Sequence, residues 1–232
     1  METQAVTLGV MWYICFLFST VCHEGAHALV AKWGGDLTAF RGGQVTLNPI
    51  PHIRREPFGL VLMPILSYAI GGWMIGWASA PYDPNWRRAF PRRATWMALA
   101  GPAANFAIML AAAVAIRIGL STGYLEAPQS VIHWNVTELA GGGTNLATTF
   151  LSILFLLNLL LGTFNLLPFP PLDGNVGVTV FLSKNAALRF VDVTRGQFSF
   201  LGILVAWFLF DRLFAPLLTL ALNLLYPGAH YG

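Results

Sequence analysis

Near the start of the chain, His23-Glu24-Gly25-Ala26-His27 puts two imidazoles four positions apart with a carboxylate directly after the first. On a helix of 3.6 residues per turn, positions i and i+4 share a face, so both rings can hold one metal ion. Glu24 sits where it can reach a metal-activated water without binding the metal, the place of a general base. Zinc in a hydrolytic site takes three protein ligands and keeps a fourth position open. The best third ligand is Asp173, in Asn165-Leu-Leu-Pro-Phe-Pro-Pro-Leu-Asp173-Gly174. An apolar stretch ends there, and its three prolines stop a helix from running on smoothly. A further motif, Ala100-Gly101-Pro102-Ala103-Ala104-Asn105, brings small residues suited to close helix packing together with an amide. Asn105 either bonds a neighbouring helix or donates to a developing oxyanion. His52, His133 and His230 fall in loops or at the tail and read as surface histidines.

These residues need a scaffold, and the composition says which kind. Of 232 residues, 56% are hydrophobic and 10% charged, too few charges to cover a soluble domain of this size. Five apolar stretches, Ala5–Trp33, Pro57–Ala80, Ala94–Leu120, Asn145–Leu167 and Phe198–Tyr226, each exceed the ~20 residues that cross a bilayer core. The expected fold is an all-α, multi-pass membrane protein in which residues 1–232 make one integral membrane domain. An ionisable trio inside an apolar stretch is costly and points to function.

The loops set the orientation. Lys32, Arg41, Arg54 and Arg55 follow the first stretch; Arg87, Arg88, Arg92 and Arg93 precede the third; Lys184, Arg189 and Arg195 follow the fourth. The connection from Ser121 to Thr144 has no Lys or Arg. Positive-inside bias places the first three groups in the cytoplasm and that connection outside. Pro57–Ala80 is then flanked by cytoplasmic loops at both ends. With Pro64 and Gly71-Gly72 interrupting it, it is expected to be a re-entrant hairpin. Two short runs around Gly42-Gly43, within Thr38–Leu47, suggest a β-hairpin whose edge could receive an extended peptide. Cys15 and Cys22, seven positions apart on one helix, stand roughly 10 Å apart and do not pair. Met1-Glu2-Thr3-Gln4 lacks the basic start of a cleavable signal, so the first stretch is expected to remain in the mature protein. The net charge of +3, spread along the chain, does not suit a nucleic-acid partner.

At these motifs the sequence resembles the site-2 protease family of intramembrane zinc metalloproteases. The likeness rests on His-Glu-x-x-His in the first membrane helix, Gly-Pro-x-x-Asn at Gly101–Asn105 and Leu-Asp-Gly at Leu172–Gly174, in that order. Leu47-Asn-Pro-Ile-Pro-His-Ile53 is similar to a subgroup without PDZ or CBS domains. The resemblance implies His23, His27 and Asp173 as ligands of one Zn²⁺ per chain, Glu24 as base and Asn105 as a transition-state contact. Many relatives follow Leu-Asp-Gly with Gly and a basic residue, where this chain has Asn175-Val176.

The expected activity is hydrolysis of membrane-anchored proteins within or near their spans, in the cell's inner or plasma membrane, with the site toward the cytoplasm. Three other readings compete. An inactive scaffold of the same fold would usually have lost Glu24 or a ligand. A zinc transporter needs further metal sites along a path. A zinc hydrolase acting on lipid would separate from a protease by its products.

Overall fold

The structure, a computed structural model, describes residues 2–132, 134–194 and 199–231. His133, Arg195 and Phe198 lie outside the described residues. Helix α1 (Glu2–Trp33) is followed by two short helices, α2 (Thr38–Arg41) and α3 (Pro49–Arg55), and by a π-helical turn (Phe58–Leu62) that runs into α4 (Met63–Gly71). Then come α5 (Pro84–Ala89), α6 (Pro91–Ser121), strands β1 (Leu125–Glu126) and β2 (Glu138–Leu139), α7 (Leu146–Asn165), α8 (Asp173–Gly177), α9 (Lys184–Thr194) and α10 (Ser199–Leu225). Among the described residues, α1, α6, α7 and α10 are long and apolar enough to cross a membrane. The protein is an all-α, multi-pass membrane protein.

Helix α7 is the most enclosed of the four. Asn145 and Thr148 start it with reciprocal side-chain caps, and Ile153, Phe155, Leu156 and Leu157 lie in the core with Phe16 of α1 and Ile116 of α6. The outer faces are apolar in regular stripes: Val6, Val10, Ile14 and Phe18 on α1, and Leu110, Val114 and Ile118 on α6. A spacing of four residues keeps each set on one side of its helix, and an exposed apolar stripe of that length suits lipid rather than water. Ser121–Thr144 contains the antiparallel β1–β2 pair, held to α7 by Ser152 Oγ, which accepts from the Val136 and Thr137 N–H groups at 2.9 and 3.2 Å.

The second apolar stretch, Pro57–Ala80, is a hairpin with its ends together. α4 stops at Gly72, whose φ of 74° turns the chain back, and the segment that follows returns alongside the helix. Ile75 N–H donates to Ser67 Oγ at 2.8 Å and Trp77 N–H to the Gly59 carbonyl at 3.2 Å. At the base, Arg55 Nε donates to the Ser79 carbonyl and Ser79 Oγ to Glu56 at 2.6 Å. The chain therefore comes back to where it left, as expected of Pro57–Ala80.

The β-hairpin expected in Thr38–Leu47 is not formed. Asp36 captures the Thr38 N–H at 2.9 Å and the Thr38 hydroxyl at 2.6 Å, which starts α2 in place of a strand. Its other oxygen accepts from the Asp83 N–H at 2.8 Å, tying this turn to α5. Gln44 to Leu47 bend back over α1 without pairing as a strand. Among the described residues the strand pair lies at β1–β2.

Candidate metal centre

Two long helices and a proline-terminated turn build the site. α1 brings His23, Glu24 and His27, which are all buried. α6 crosses α1 with Gly101 facing the two rings. A Cβ at position 101 would fall onto His27 Nε2 and lie 2.5 Å from His23 Nε2, so only glycine leaves the space the imidazoles occupy. After α7, the chain passes through Pro168-Phe169-Pro170-Pro171-Leu172 and presents Asp173 as the first residue of α8. Asp173 thus reaches the histidines from 146 and 150 positions away in sequence.

The three side chains meet at their tips. His23 Nε2 and His27 Nε2 are 3.0 Å apart, and Asp173 Oδ2 lies 3.0 Å from the first and 3.2 Å from the second. The rings stand edge to face at 82°. His27 Nδ1 is 2.7 Å from the Met97 carbonyl, which can only accept, so Nδ1 carries a proton and, in the neutral ring, Nε2 offers a lone pair. His23 Nδ1 is 2.6 Å from Asn105 Oδ1. A carboxylate oxygen and the Nε2 atoms of two neutral imidazoles at this range repel one another unless a proton or a metal ion lies among them. Four ligands at the usual zinc distances of ~2.0–2.2 Å stand roughly 3.3 Å from one another in a tetrahedron. The observed triangle is close to one face of it. Two nitrogens and one oxygen are the donor set of a catalytic zinc site.

Each histidine side chain is 8% exposed and that of Asp173 is 23% exposed, so Asp173 is the least enclosed member of the cluster. Asn105 is completely buried and engaged at both ends of its amide: Oδ1 faces His23, and Nδ2 donates to Asn158 Oδ1 at 2.9 Å. Of the two roles open to Asn105, its bonds here are those to neighbouring helices. His52 is also not a surface residue. At 2% exposure it packs under the Gln44–Leu47 bend, with Nε2 3.1 Å from the Thr46 carbonyl. His230 is exposed, as expected.

Other residues around the site were not singled out from the sequence. Asn158 and Ser19 are fully buried beside Asn105, and the signal that could have found Asn158 is an amide within an otherwise apolar run. Asn175, where the family pattern differs, accepts from Thr194 Oγ1 at 3.0 Å and so ties α8 to α9.

Comparison with known proteins agrees with this geometry. Peptidase family M50 matches residues 11–202. A Bacillus subtilis protein named "Putative zinc metalloprotease YwhC" is 39% identical over 172 residues, covering 72% of this chain and 68% of its own length. Proteins named "Putative zinc metalloprotease Rip2" are 29% identical over 159 residues in Mycolicibacterium smegmatis and 33% identical over 165 residues in Mycobacterium tuberculosis. Those matches cover 68% and 71% of this chain, and 52% and 54% of the mycobacterial proteins, so the chain spans about half their length. No solved structure matches. With its motifs falling inside the matched region and its donor atoms converging as a zinc site requires, the chain belongs to peptidase family M50, the site-2 proteases.

Proposed function

We propose that this protein is an intramembrane zinc endopeptidase that cuts membrane-anchored proteins within or near their spans, with its site open to the cytoplasm. The observation that carries the proposal is the convergence of His23, His27 and Asp173 on one point beside a membrane-length helix. These three residues hold the zinc, one ion per chain. When bound, zinc supplies Lewis acidity, which activates water near neutral pH and polarises a carbonyl. Glu24, buried next to His23, takes a proton from the attacking water and returns it to the leaving amine. Gly101 keeps the space beside the rings clear, and Met97 and Asn105 hold the rings at their far nitrogens.

Depth and side follow from α1. His27 and His23 precede Trp33, at the helix end beside Lys32, by six and ten positions. At 1.5 Å per residue they lie roughly 9–15 Å inside that boundary. The basic residues near it, with Arg54, Arg55 and Arg87 to Arg93, mark the cytoplasmic face. A substrate cut at that depth is a membrane-anchored chain with an unwound segment near the bilayer surface. The lipid bilayer is thus the medium shared by enzyme and substrate.

The test is co-expression with tagged candidate membrane proteins. Native protein should yield zinc-dependent fragments. Glu24→Gln should keep its zinc and lose cleavage, because the base is removed and no ligand is. His23→Ala/His27→Ala should lose both. Fragments produced equally by the Glu24→Gln form would remove Glu24 from the mechanism, and full zinc retention in the double variant would remove the ligand set.

A further inference from the structure

Behind His23, away from the Asp173 side, a row of polar groups runs through the bundle core across three helices. Asn105 of α6, Asn158 of α7 and Ser19 of α1 each have no solvent exposure. Asn158 Nδ2 lies 2.9 Å from the backbone carbonyl of Leu154 and 2.8 Å from Ser19 Oγ. Asn158 Oδ1 is 2.9 Å from Asn105 Nδ2, and Asn105 Oδ1 is 2.6 Å from His23 Nδ1. An unpaired amide in such surroundings is costly, so the polarity of the row is not free to vary.

Its direction is set at the far end. The Leu154 carbonyl can only accept, so the Asn158 atom facing it must be the NH₂ group. That leaves the Asn158 oxygen toward Asn105, which must answer with its own NH₂. The same group of Asn105 lies 3.5 Å from the Ser19 carbonyl, a second acceptor that agrees with the assignment. Asn105 is left with its oxygen toward His23, and an oxygen there accepts only if Nδ1 carries the proton. In the neutral ring the other nitrogen, Nε2, then has its lone pair aimed at His27 and Asp173. His27 reaches the same state directly, through the Met97 carbonyl.

We propose that Asn105 and Asn158 are positioning residues: a two-amide relay that carries the acceptor polarity of the Leu154 carbonyl to His23 and locks it in the Nδ1–H tautomer that ligates metal. This rests on the zinc reading above and assigns Asn105 to His23 rather than to an oxyanion. Partners that fix the tautomer and orientation of a ligating histidine typically contribute 10–100-fold to metal affinity. Asn158 bonds Asn105, Ser19 and the Leu154 carbonyl, and of these partners it is Asn105 that bonds His23 in turn.

The test uses the full chain in detergent micelles or nanodiscs. In metal-free native protein with ¹⁵N-labelled histidine, at mildly alkaline pH, His23 should show a protonated Nδ1 and a bare Nε2. A His23 ring protonated at Nε2 and bare at Nδ1 overturns the relay without any variant. Asn158→Leu, close in shape, should weaken zinc binding 10–100-fold in chelator competition and mix the His23 tautomers. Asn158→Ser serves if the leucine form does not fold. Its hydroxyl can bond back to the Leu154 carbonyl but is too short to instruct Asn105. Ser152→Ala is the control. It removes an equally buried group on α7 that bonds only Val136, Thr137 and Thr148, and should cost stability without moving zinc affinity. Zinc affinity within about twofold of native in either folded Asn158 variant, with one unchanged tautomer, would overturn the proposal. Native protein that binds no zinc at all would sink the proposed function instead, while the metal-free tautomer measurement would still decide the relay.

Discussion

Replacing Gly101 by alanine tests the geometry of the metal centre with a single methyl group. The new Cβ would stand 2.5 Å from His23 Nε2 and 2.6 Å from His23 Cε1, and also against His27 Nε2. Ordinary contact needs about 3.5 Å, so at least one ring must retreat by about 1 Å. Neither can do so freely: Asn105 holds His23 at 2.6 Å and the Met97 carbonyl holds His27 at 2.7 Å. Metal–ligand distances tolerate about 0.2 Å, far less than that retreat. Overpacking of this kind costs roughly 1–3 kcal/mol, which a fold stable by about 5–15 kcal/mol survives. Concentrated on the two ligand rings, the same energy weakens zinc by about 5- to 150-fold. The assay is zinc content and chelator competition on purified protein, with helix content by circular dichroism. Ala103→Leu, on the exposed side of α6 in the same turn, is the matched control and should bind zinc normally. A folded Gly101→Ala protein with native zinc content and affinity would refute the placement of α6 against the rings.

Two further outcomes follow from the loops. Single cysteines at Arg54, Asn85 and Lys184, in a background without Cys15 and Cys22, should resist a membrane-impermeant thiol reagent in intact cells and react after lysis, while one at Ser130 should label from outside; labelling at Asn85 in intact cells would show that Pro57–Ala80 crosses. Burial pushes the Asp36 carboxyl up, but the Thr38 N–H and hydroxyl and the Asp83 N–H outweigh it and hold the group below the usual carboxylate range. A depressed folded pKa contributes stability above the unfolded value, near pH 4, that is lost as pH falls through the folded one. Asp36→Ala should therefore lower thermal stability by roughly 1–3 kcal/mol at neutral pH, with the gap to native protein narrowing below about pH 4; a gap that does not change with pH would show that the carboxylate charge is not what holds the turn.

The parts of the site that could be read from sequence are those where chemistry and spacing coincide. His23, Glu24 and His27 share one helix, so the helical repeat alone determines how they face. Asp173 could be named because a proline-rich break must end the preceding helix, though its approach to the histidines depends on how α7 packs. The hairpin of Pro57–Ala80 was legible from charge: two basic flanks cannot lie on opposite sides of a membrane under the positive-inside rule. Thr38–Leu47 misled because Gly42-Gly43 satisfies a hairpin turn in isolation. Whether it becomes one is decided by Asp36, whose side chain claims the Thr38 N–H and hydroxyl first, and by Asp83, 47 residues away. No local pattern reports that competition.

Asn105 marks the sharper boundary. Its type and depth require a partner, but an amide offers donor and acceptor alike, and sequence does not say which end meets which neighbour. The answer depends on an atom that carries no sequence information, the Leu154 backbone carbonyl, and on Asn158 being within reach of both. A membrane bundle makes this dependence strict. Water is not there to satisfy a misdirected amide, so each polar group must take the orientation its neighbour leaves it. The helix crossings that close the apolar core around Phe16, Ile116 and Phe155 are thus the same ones that orient His23. A mutation that loosens α7 against α6 near Asn158 should therefore reach the metal before it reaches the fold.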